Sequence, residues 1–443
     1  MAGLMVAPFG IILAITGGLY LFKAEYEGWQ EAKINATSVA GNTPTTARPA
    51  DDLLDAAMAR YPGGKFKKII MPKSEADPTA EVILMAKGQT RLLFVDRFSA
   101  DILADEDKST QLMDVVKKIH GTLLSGNGGS YVVELMASWM IVLIITGIYL
   151  WWPRGKGWRH VFLPFLTGRS STTPARQGWK RLHGGVGAWV GLMVLFLLVT
   201  GLPWTQAWGG GFKWLSAAIG QEGPGQEWVV TLQSGEHHHD DHHSGLSDGL
   251  SEWQINEDDE AEVTLTSGEK GAGSTAISLQ QVFTTVTAKA FPAPVEISPP
   301  KGDNGVWTIR SMIQDRPKRE TLHLDKWTGE PVMHIIFADR PFLERLTSYG
   351  IAIHEGALFG WFNQLLGVVA ALGVISLSVA GVAMWWKRRP KGQMAAPPLP
   401  ADRRLSAGIG AVILALAVFL PLFAASLVIA LMLDKLVQAL KQH

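Results

Sequence analysis

Histidine is the residue type with the clearest capacity for chemistry in this chain, because cysteine is absent. The 443 residues include 12 histidines and no cysteine. Without thiolates the chain cannot form disulfides, iron–sulfur centres or a covalent C-x-x-C-H cofactor attachment. Any bound transition metal must therefore be held by histidine, carboxylate or methionine.

Two histidines occupy equivalent sequence positions. His120 and His354 each lie 31 residues before the first residue of a Trp-Trp pair, Trp151-Trp152 and Trp385-Trp386 respectively. Two axial imidazoles saturate a haem iron and favour electron transfer over oxygen chemistry. The matched spacing, together with the family resemblance given below, predicts that His120 and His354 share one haem b near the outer face of the membrane. For an isolated interfacial histidine, a hydrogen bond to water or a lipid headgroup would be the simpler interpretation.

A second histidine-rich feature is the tract 236–243, which has the composition of a metal-binding segment. Imidazoles and carboxylates at this density bind Zn²⁺, Cu²⁺ or Ni²⁺. The tract lies in a polar, acidic insertion, residues 221–274, for which disorder is expected. Capture or delivery of a divalent metal and a low-complexity loop are equally good interpretations. The predicted metal ligands are His237, His238, His239, Asp240, Asp241, His242 and His243.

Five long apolar segments must position these histidines. Each approaches the roughly 20 residues that a helix needs to cross the hydrocarbon core. Tryptophans at the segment ends, among them Trp204 and Trp208, are typical of an interfacial belt. The sequence therefore predicts a mostly α-helical polytopic membrane protein with five spans, at residues 1–22, 131–152, 183–204, 349–386 and 406–433.

Loop charges predict the orientation of the spans. The loop 153–182 carries seven Lys and Arg residues and no acidic residue, and the loop 387–405 is also strongly basic. Short basic loops remain in the cytoplasm, which leaves the long segments 23–130 and 205–348 outside. The predicted topology is N-terminus inside and C-terminus outside. A cleaved signal is the alternative for the first span, although a basic n-region and an A-x-A site are missing.

The chain contains an internal repeat. Residues Ile119–Arg154 fall on Ile353–Arg388 at an offset of 234 without a gap. The first and third spans align less distinctively at an offset of 184, where Thr16-Gly17 coincides with Thr200-Gly201. An internal duplication is therefore predicted, in which each half comprises a helix, a small external α+β domain and a returning helix. One extra helix follows.

The external segments carry matching patterns as well. Residues 50–61 predict an amphipathic helix and residues 81–95 predict strands. Residues 278–291 supply the corresponding helix in the second half. Val95-Asp96-Arg97-Phe98-Ser99 corresponds to Leu324-Asp325-Lys326-Trp327-Thr328, a strand that runs into a turn before another strand.

Four motifs in this order carry a resemblance to a known family: Ala7-Pro8-Phe9 with Thr16-Gly17, Leu150-Trp151-Trp152-Pro153-Arg154, Arg181-Leu182-His183, and Ile353-His354 through Trp385-Trp386-Lys387-Arg388-Arg389. On these motifs the chain resembles the PepSY-associated transmembrane proteins, an iron-regulated group of bacterial inner-membrane proteins. The resemblance implies two extracytoplasmic PepSY-like domains, a location in the bacterial inner membrane and a haem-bearing reductase. Ferric siderophores are the best-supported substrate class in that family.

His183, at the inner end of the third span, is the third predicted haem ligand. By the offset of 184, its partner would lie two residues before Met1, where members of the resembled family usually have a basic, histidine-containing stretch. We expect the natural start to lie upstream. A different second ligand, or the absence of an inner haem, is the alternative. His160 is the nearest substitute, although it is more simply a loop residue.

Two carboxylates near the histidines are further candidates. Glu134 lies in or beside the second span, where an ionisable group is costly and often functional. A carboxylate at headgroup level is an almost equally good interpretation. Glu355 follows His354 directly and is a candidate to orient it; a surface position is the alternative.

Three function classes remain after these observations. The first is a haem-dependent oxidoreductase that passes electrons to a ferric siderophore or other ferric chelate outside. Nucleotide-, flavin- and NAD-binding motifs are missing, so its electrons would come from quinol or a soluble reductase. The second is a metal-binding transport accessory built on the histidine tract, and the third is a non-enzymatic regulator whose PepSY domains bind peptides or proteins. The balanced charge, 40 basic and 40 acidic residues, argues against a nucleic-acid partner.

Overall fold

A computed structural model describes residues 2–38, 46–74, 76–152, 175–221, 275–302, 305–389 and 407–440. The chain divides into two compact units. The first comprises residues Met1–Leu21, Val116–Leu215 and His354–His443, and its described part is helical. The second comprises Phe22–Val115 and Ser216–Ile353 and contains a β-sheet. His160 and the tract 237–243 lie outside the described residues.

The described residues form the following helices and strands, numbered in chain order. The helices are α1 (Ala2–Tyr20), α2 (Lys23–Asn35), α3 (Ala50–Arg60), α4 (Leu112–Thr122), α5 (Gly126–Trp151), α6 (Ala175–Gly201), α7 (Gln206–Ala218), α8 (Leu279–Ala288), α9 (Phe342–His354), α10 (Trp361–Trp386), α11 (Ala407–Phe419) and α12 (Pro421–Leu440). The strands are β1 (Lys65–Met71), β2 (Thr79–Ala86), β3 (Gln89–Asp96), β4 (Ile102–Asp107), β5 (Val295–Ser298), β6 (Val306–Ser311), β7 (Thr321–Asp325) and β8 (Pro331–Ile335).

Within the described residues, five helical segments are long and apolar enough to cross a membrane, which confirms the predicted number. They are Ala2–Tyr20, Gly126–Trp151, Gly178–Trp204, Trp361–Trp386 and Pro421–Leu440. Two of the predicted spans differ in the structure. The predicted span 349–386 is divided, because α9 ends at His354 and α10 begins at Trp361. In place of the predicted span 406–433, the chain from Ala407 forms two helices, α11 and α12. Pro421 lacks the backbone N–H that would continue the hydrogen-bonding ladder, so the helix is interrupted there.

Four of these helices form a closed bundle. Helix α1 packs on α10, α10 on α6, α6 on α5, and α5 on α1. Gly373 of α10 lies against Val190 of α6, and Gly367 of α10 lies against Leu21. Small residues at these points let the helices approach closely, as is usual where lipid supplies no hydrophobic driving force between helices. Helices α11 and α12 pack on the outside of α5.

The second unit is built on one antiparallel sheet with the strand order β4-β3-β2-β1-β5-β6-β7-β8. The first strands of the two sequence halves, β1 and β5, are neighbours, with Ile69 opposite Ile297. The strands that the sequence assigned to two small PepSY-like domains therefore belong to one continuous sheet. One face of it forms a buried apolar core with α3 and α8, which contribute Leu53 and Leu279.

The predicted strand–turn units are confirmed in both halves. Strand β3 ends at Asp96, whose carboxylate accepts hydrogen bonds from the backbone N–H groups of Phe98 and Ser99. Strand β7 ends at Asp325, whose carboxylate accepts from the N–H groups two and three residues ahead. Each turn leads into the next strand, β4 or β8. An aspartate that hydrogen bonds to the backbone ahead of it is a common way to end a strand.

Candidate functional site

The helix that carries each of the two equivalent histidines ends at the histidine or within two residues after it. Helix α4 ends at Thr122 and α5 begins at Gly126, which has a φ of 54°. Helix α9 ends at His354 and α10 begins at Trp361, preceded by Gly360 with a φ of 58°. Positive φ values are readily adopted by glycine. In each half, the helix that carries the histidine therefore ends before the membrane-spanning helix begins.

At these two helix ends, His120 and His354 come together at one end of the four-helix bundle. Their ring centroids are 6.4 Å apart, and the ring planes are inclined at 80°. Both side chains retain partial exposure. The two residues come from different helices and are separated by 234 positions, so this meeting depends on the whole bundle rather than on local structure.

His120 is held by the first helix. Its Nδ1 lies 3.0 Å from the hydroxyl oxygen of Thr16. That hydroxyl donates its proton to the carbonyl of Ile12 at 2.8 Å, so its oxygen accepts a proton from the imidazole. These contacts place the proton on Nδ1 and the lone pair on Nε2.

His354 is held in the same way by α6. Its Nδ1 lies 3.0 Å from the hydroxyl oxygen of Thr200, which donates to the carbonyl of Phe196 at 2.9 Å. The partner of Nδ1 is therefore Thr200, whereas the sequence had suggested the neighbouring Glu355 as the orienting residue.

A glycine follows each threonine and lies beside the same imidazole. A Cβ added to Gly17 would meet Cε1 of His120 at 2.9 Å, and one added to Gly201 would meet Cε1 of His354 at 3.6 Å. Each ring thus lies against the backbone of a helix other than its own.

His183 lies towards the opposite end of the bundle. Its Nδ1 donates to the carbonyl of Leu377 at 3.1 Å, which again places the lone pair on Nε2. His183 precedes Thr200 by 17 residues of α6, a rise of about 26 Å along the helix. The structure therefore does not bring His183 to the pair of His120 and His354.

Glu134 has a structural role that the sequence did not indicate. Its carboxylate is buried, with 1% exposure, and accepts hydrogen bonds from the backbone N–H groups of Ala207 at 2.8 Å and Trp208 at 3.1 Å. These are donors in the first turn of α7. A carboxylate at a helix N-terminus satisfies N–H groups that lack helical partners and interacts favourably with the helix dipole.

The remaining described histidines lie in the sheet. His323 is buried and hydrogen bonds to Thr308; burial, with Arg310 nearby, lowers the pKa of His323 to about 4. His334 pairs with Glu320 at 2.8 Å on the edge strand β8. Within the described ranges, no group of three or more histidine or acidic residues is arranged to hold a metal ion.

The sequence contained a signal for the two threonines. Thr16 and Thr200 coincide at the offset of 184, as do Gly17 and Gly201. On the sequence alone these matches support the repeat. The same hydroxyl at equivalent places in two otherwise apolar spans is the signal that the two threonines have equivalent partners.

Comparison with known proteins agrees with this architecture. The family described as PepSY-associated TM region matches residues 1–388, which include both histidines, both threonines and the sheet. A search of curated proteins found no match. Since the family match covers most of the chain, this protein belongs to the PepSY-associated transmembrane family.

Proposed function

We propose that this chain is a haem b-containing oxidoreductase of the bacterial inner membrane. His120 and His354 would hold the haem, and electrons would pass to a ferric siderophore or similar ferric chelate outside. The observation that carries the proposal is the meeting of two imidazoles from separate helices, with ring centroids 6.4 Å apart.

The separation of the two rings fits shared ligation of one metal. Imidazole nitrogen lies about 2.0 Å from a bound metal, and about 1.15 Å from the centre of its ring if ring bonds are about 1.35 Å. Two imidazoles on opposite sides of one iron would then have ring centres about 6.3 Å apart, by the same lengths. The observed 6.4 Å agrees with that value.

The hydrogen bonds at Nδ1 also fit. Metal-ligating histidines generally donate the proton of the other ring nitrogen to a carbonyl, carboxylate or water, which fixes the tautomer and the ring orientation. Both histidines donate from Nδ1 to a threonine oxygen. The Nε2 atom of each ring therefore carries the lone pair that can bind a metal ion.

The residues at the site also favour one type of chemistry. A bound haem would supply one-electron exchange between ferric and ferrous iron. Two histidine ligands leave no coordination position for oxygen or substrate. The protein's own work would be to hold the two ligands in a fixed geometry, and the acceptor would take its electron without binding to the haem iron.

The position of the site supports delivery to the outer side. His120 and His354 precede α5 and α10, whose other ends lead into the basic loops 153–182 and 387–405. If those loops are cytoplasmic, as their charge indicates, the pair lies towards the outside. His183, about 26 Å further along α6, is then the candidate ligand for an inner haem that receives electrons from quinol or a soluble reductase.

Reduction of a ferric chelate at this position would release its iron. Ferric iron is held tightly by hard oxygen ligands, and Fe²⁺ binds them far more weakly. One electron per iron would convert the ferric chelate to Fe²⁺ and the free chelator, and a bound haem would supply that electron by changing from the ferrous to the ferric state.

The proposal is tested with purified protein in liposomes under anaerobic conditions. The haem is reduced with a limiting amount of dithionite, and a ferric hydroxamate chelate is added outside the liposomes. The absorption bands of ferrous haem and the amount of released Fe²⁺ are then measured together. We expect the ferrous bands to decay with release of one Fe²⁺ per haem oxidised. Haem that stays reduced in the presence of the chelate would contradict the proposed acceptor.

The same preparation discriminates the other two function classes. A protein without haem that binds divalent metal through residues 236–243 would favour the transport accessory. A haem-free protein that retains only peptide or protein binding would favour the regulator.

A further inference from the structure

We propose that Thr16 and Thr200 are positioning residues that hold the two axial imidazoles of this site with their planes nearly perpendicular. The inference rests on the proposed function, because it assumes a haem between His120 and His354. It concerns what this chain does to that haem: it fixes the orientation of both ligands from helices other than those that carry them.

Each threonine is itself held in one direction. Threonine is stiff about χ1 because it is β-branched. Its hydroxyl proton is donated to a carbonyl one turn earlier, 2.8 Å away for Thr16 and 2.9 Å for Thr200. The oxygen lone pair that faces the histidine therefore has a fixed position relative to α1 or α6.

The hydrogen bond at Nδ1 then limits rotation of the ring. A histidine ligated only through Nε2 can turn about the metal–nitrogen axis, because that rotation leaves the bond to the metal unchanged. An Nδ1–H that must point at a fixed oxygen 3.0 Å away removes this freedom in both halves. The resulting angle between the two planes is 80°.

The glycines make room for this orientation. A Cβ on residue 17 would lie only 2.9 Å from Cε1 of His120, so a larger residue would crowd the ring. Cε1 of His354 lies beside Gly201 in the same way, 3.6 Å from an added Cβ. Each ring is therefore bounded by a threonine hydroxyl at Nδ1 and by glycine backbone at Cε1. This combination of contacts occurs twice, on α1 and on α6, so the plane angle follows from the packing of these two helices.

The plane angle has a direct electronic consequence. Each imidazole π-donates to the iron d-orbital perpendicular to its ring plane. Parallel planes raise one of these orbitals above the other, and ferric low-spin haem then gives a rhombic EPR spectrum with three resolved g-values. Perpendicular planes raise both orbitals nearly equally, and the spectrum is dominated by one feature at large g. Orientation of the axial ligands through their hydrogen-bond partners is thus a means by which the protein tunes the haem.

The test is the EPR spectrum of the oxidised, purified protein with Thr→Val and Thr→Ser variants. We expect the large-g feature in the wild-type protein. Thr16→Val and Thr200→Val keep the shape of the side chain but remove the acceptor, and should shift intensity from that feature to a rhombic spectrum. Thr16→Ser and Thr200→Ser should retain the wild-type spectrum.

Thr146→Val is the matched control. Thr146 is a threonine in the membrane helix α5 whose hydroxyl donates to the carbonyl of Val142, the same local bond that Thr16 makes. Its replacement should leave the spectrum unchanged. The midpoint potential is a second readout: loss of the acceptor weakens the imidazole as a donor to ferric iron, so the Thr16→Val and Thr200→Val variants should have a higher midpoint potential than Thr146→Val.

The outcomes separate the two proposals. A wild-type protein with haem but a rhombic spectrum would overturn this inference and leave the proposed function standing. So would Thr→Val variants with the wild-type spectrum and potential. A wild-type protein without haem would overturn the proposed function itself, and this inference with it. If a Thr→Val variant loses its haem, the wild-type and Thr→Ser spectra still decide the ligand-plane angle.

Discussion

Gly17 and Gly201 occupy matched positions, one residue after the threonines, yet they leave different room for a methyl group. At Gly17 an added Cβ would lie 2.9 Å from Cε1 of His120, whereas at Gly201 the distance to His354 is 3.6 Å, an ordinary contact. Gly17→Ala should therefore displace His120 and lower the haem content several-fold. The strain of overpacking is typically about 1–3 kcal/mol.

Gly201→Ala is the control for the loss of glycine itself and should keep the wild-type haem content. Haem per protein, measured from the pyridine haemochrome of each purified variant, decides between them. Equal haem content in the two variants would show that the space beside His120 is not critical.

Glu81 predicts a pH dependence of stability in the sheet. Burial, together with the carboxylates of Glu31 and Glu27, raises the pKa of Glu81 to about 7, from an unfolded value of 4.5. A carboxyl with a raised folded pKa contributes stability that is fully present below pH 4.5 and is lost as the pH rises through about 7. Since Glu81 retains some exposure, we expect its contribution to be about 1–2 kcal/mol rather than the full value of the shift.

The measurement is the thermal unfolding midpoint of the second unit between pH 5 and pH 8. Glu81→Gln, which cannot ionise, should be more stable than wild type at pH 8 and should flatten the decline above pH 5. Glu330→Gln removes one negative charge in the exposed turn before β8 and serves as the control. A decline of equal size in Glu81→Gln and wild type would contradict the assignment to Glu81.

The close contact between α6 and α10 depends on Gly373, which has no side chain. A Cβ on Gly373 would lie 2.4 Å from Cγ1 of Val190 and 3.0 Å from its Cβ, so the helices would have to separate. Gly373→Ala should lower the thermal unfolding midpoint of the bundle, at a cost of about 1–3 kcal/mol.

Gly147 supplies a matched comparison on α5. Among the described residues, no heavy atom beyond its own helix backbone and chain neighbours lies within 4 Å of an added Cβ there. Gly147→Ala should leave the midpoint unchanged or raise it slightly, because alanine has the higher helix propensity. A Gly373→Ala variant as stable as Gly147→Ala would show that the helices do not meet as described.

Much of the element-level structure could be predicted from the sequence. The five spans follow from runs of apolar residues, and the turns after Asp96 and Asp325 follow from aspartate at strand ends. Helix α8 begins with a capping box formed by Ser278 and Gln281, a local signal at the start of the predicted helix. These features depend on residues close together in the chain, and so they are visible in one sequence.

Other features depend on residues far apart in the chain and could not be predicted. The pairing of β1 with β5 joins Ile69 to Ile297, and nothing in either strand alone specifies that neighbour. Glu134 was identified as a costly ionisable residue, but its partners are N–H groups in α7, more than 70 residues away. The role of Thr16 likewise depended on knowing that α1 lies beside His120.

Each of the two units brings corresponding positions of the two sequence halves together. In the helical unit His120 lies beside His354, and in the unit that contains the sheet β1 pairs with β5. Positions that the repeat relates in the sequence therefore meet within each unit.

The central claim is that His120 and His354 hold one haem together, and quantification of haem in single variants tests it most directly. Wild-type protein, His120→Ala, His354→Ala and His334→Ala are purified from haem-replete cells and assayed as the pyridine haemochrome. His334 lies partly exposed in the edge strand β8 and is the control. We predict that His334→Ala keeps the wild-type content, while His120→Ala and His354→Ala each lose the same haem. Full haem content in both of these variants, or a folded wild-type protein without haem, would contradict the account.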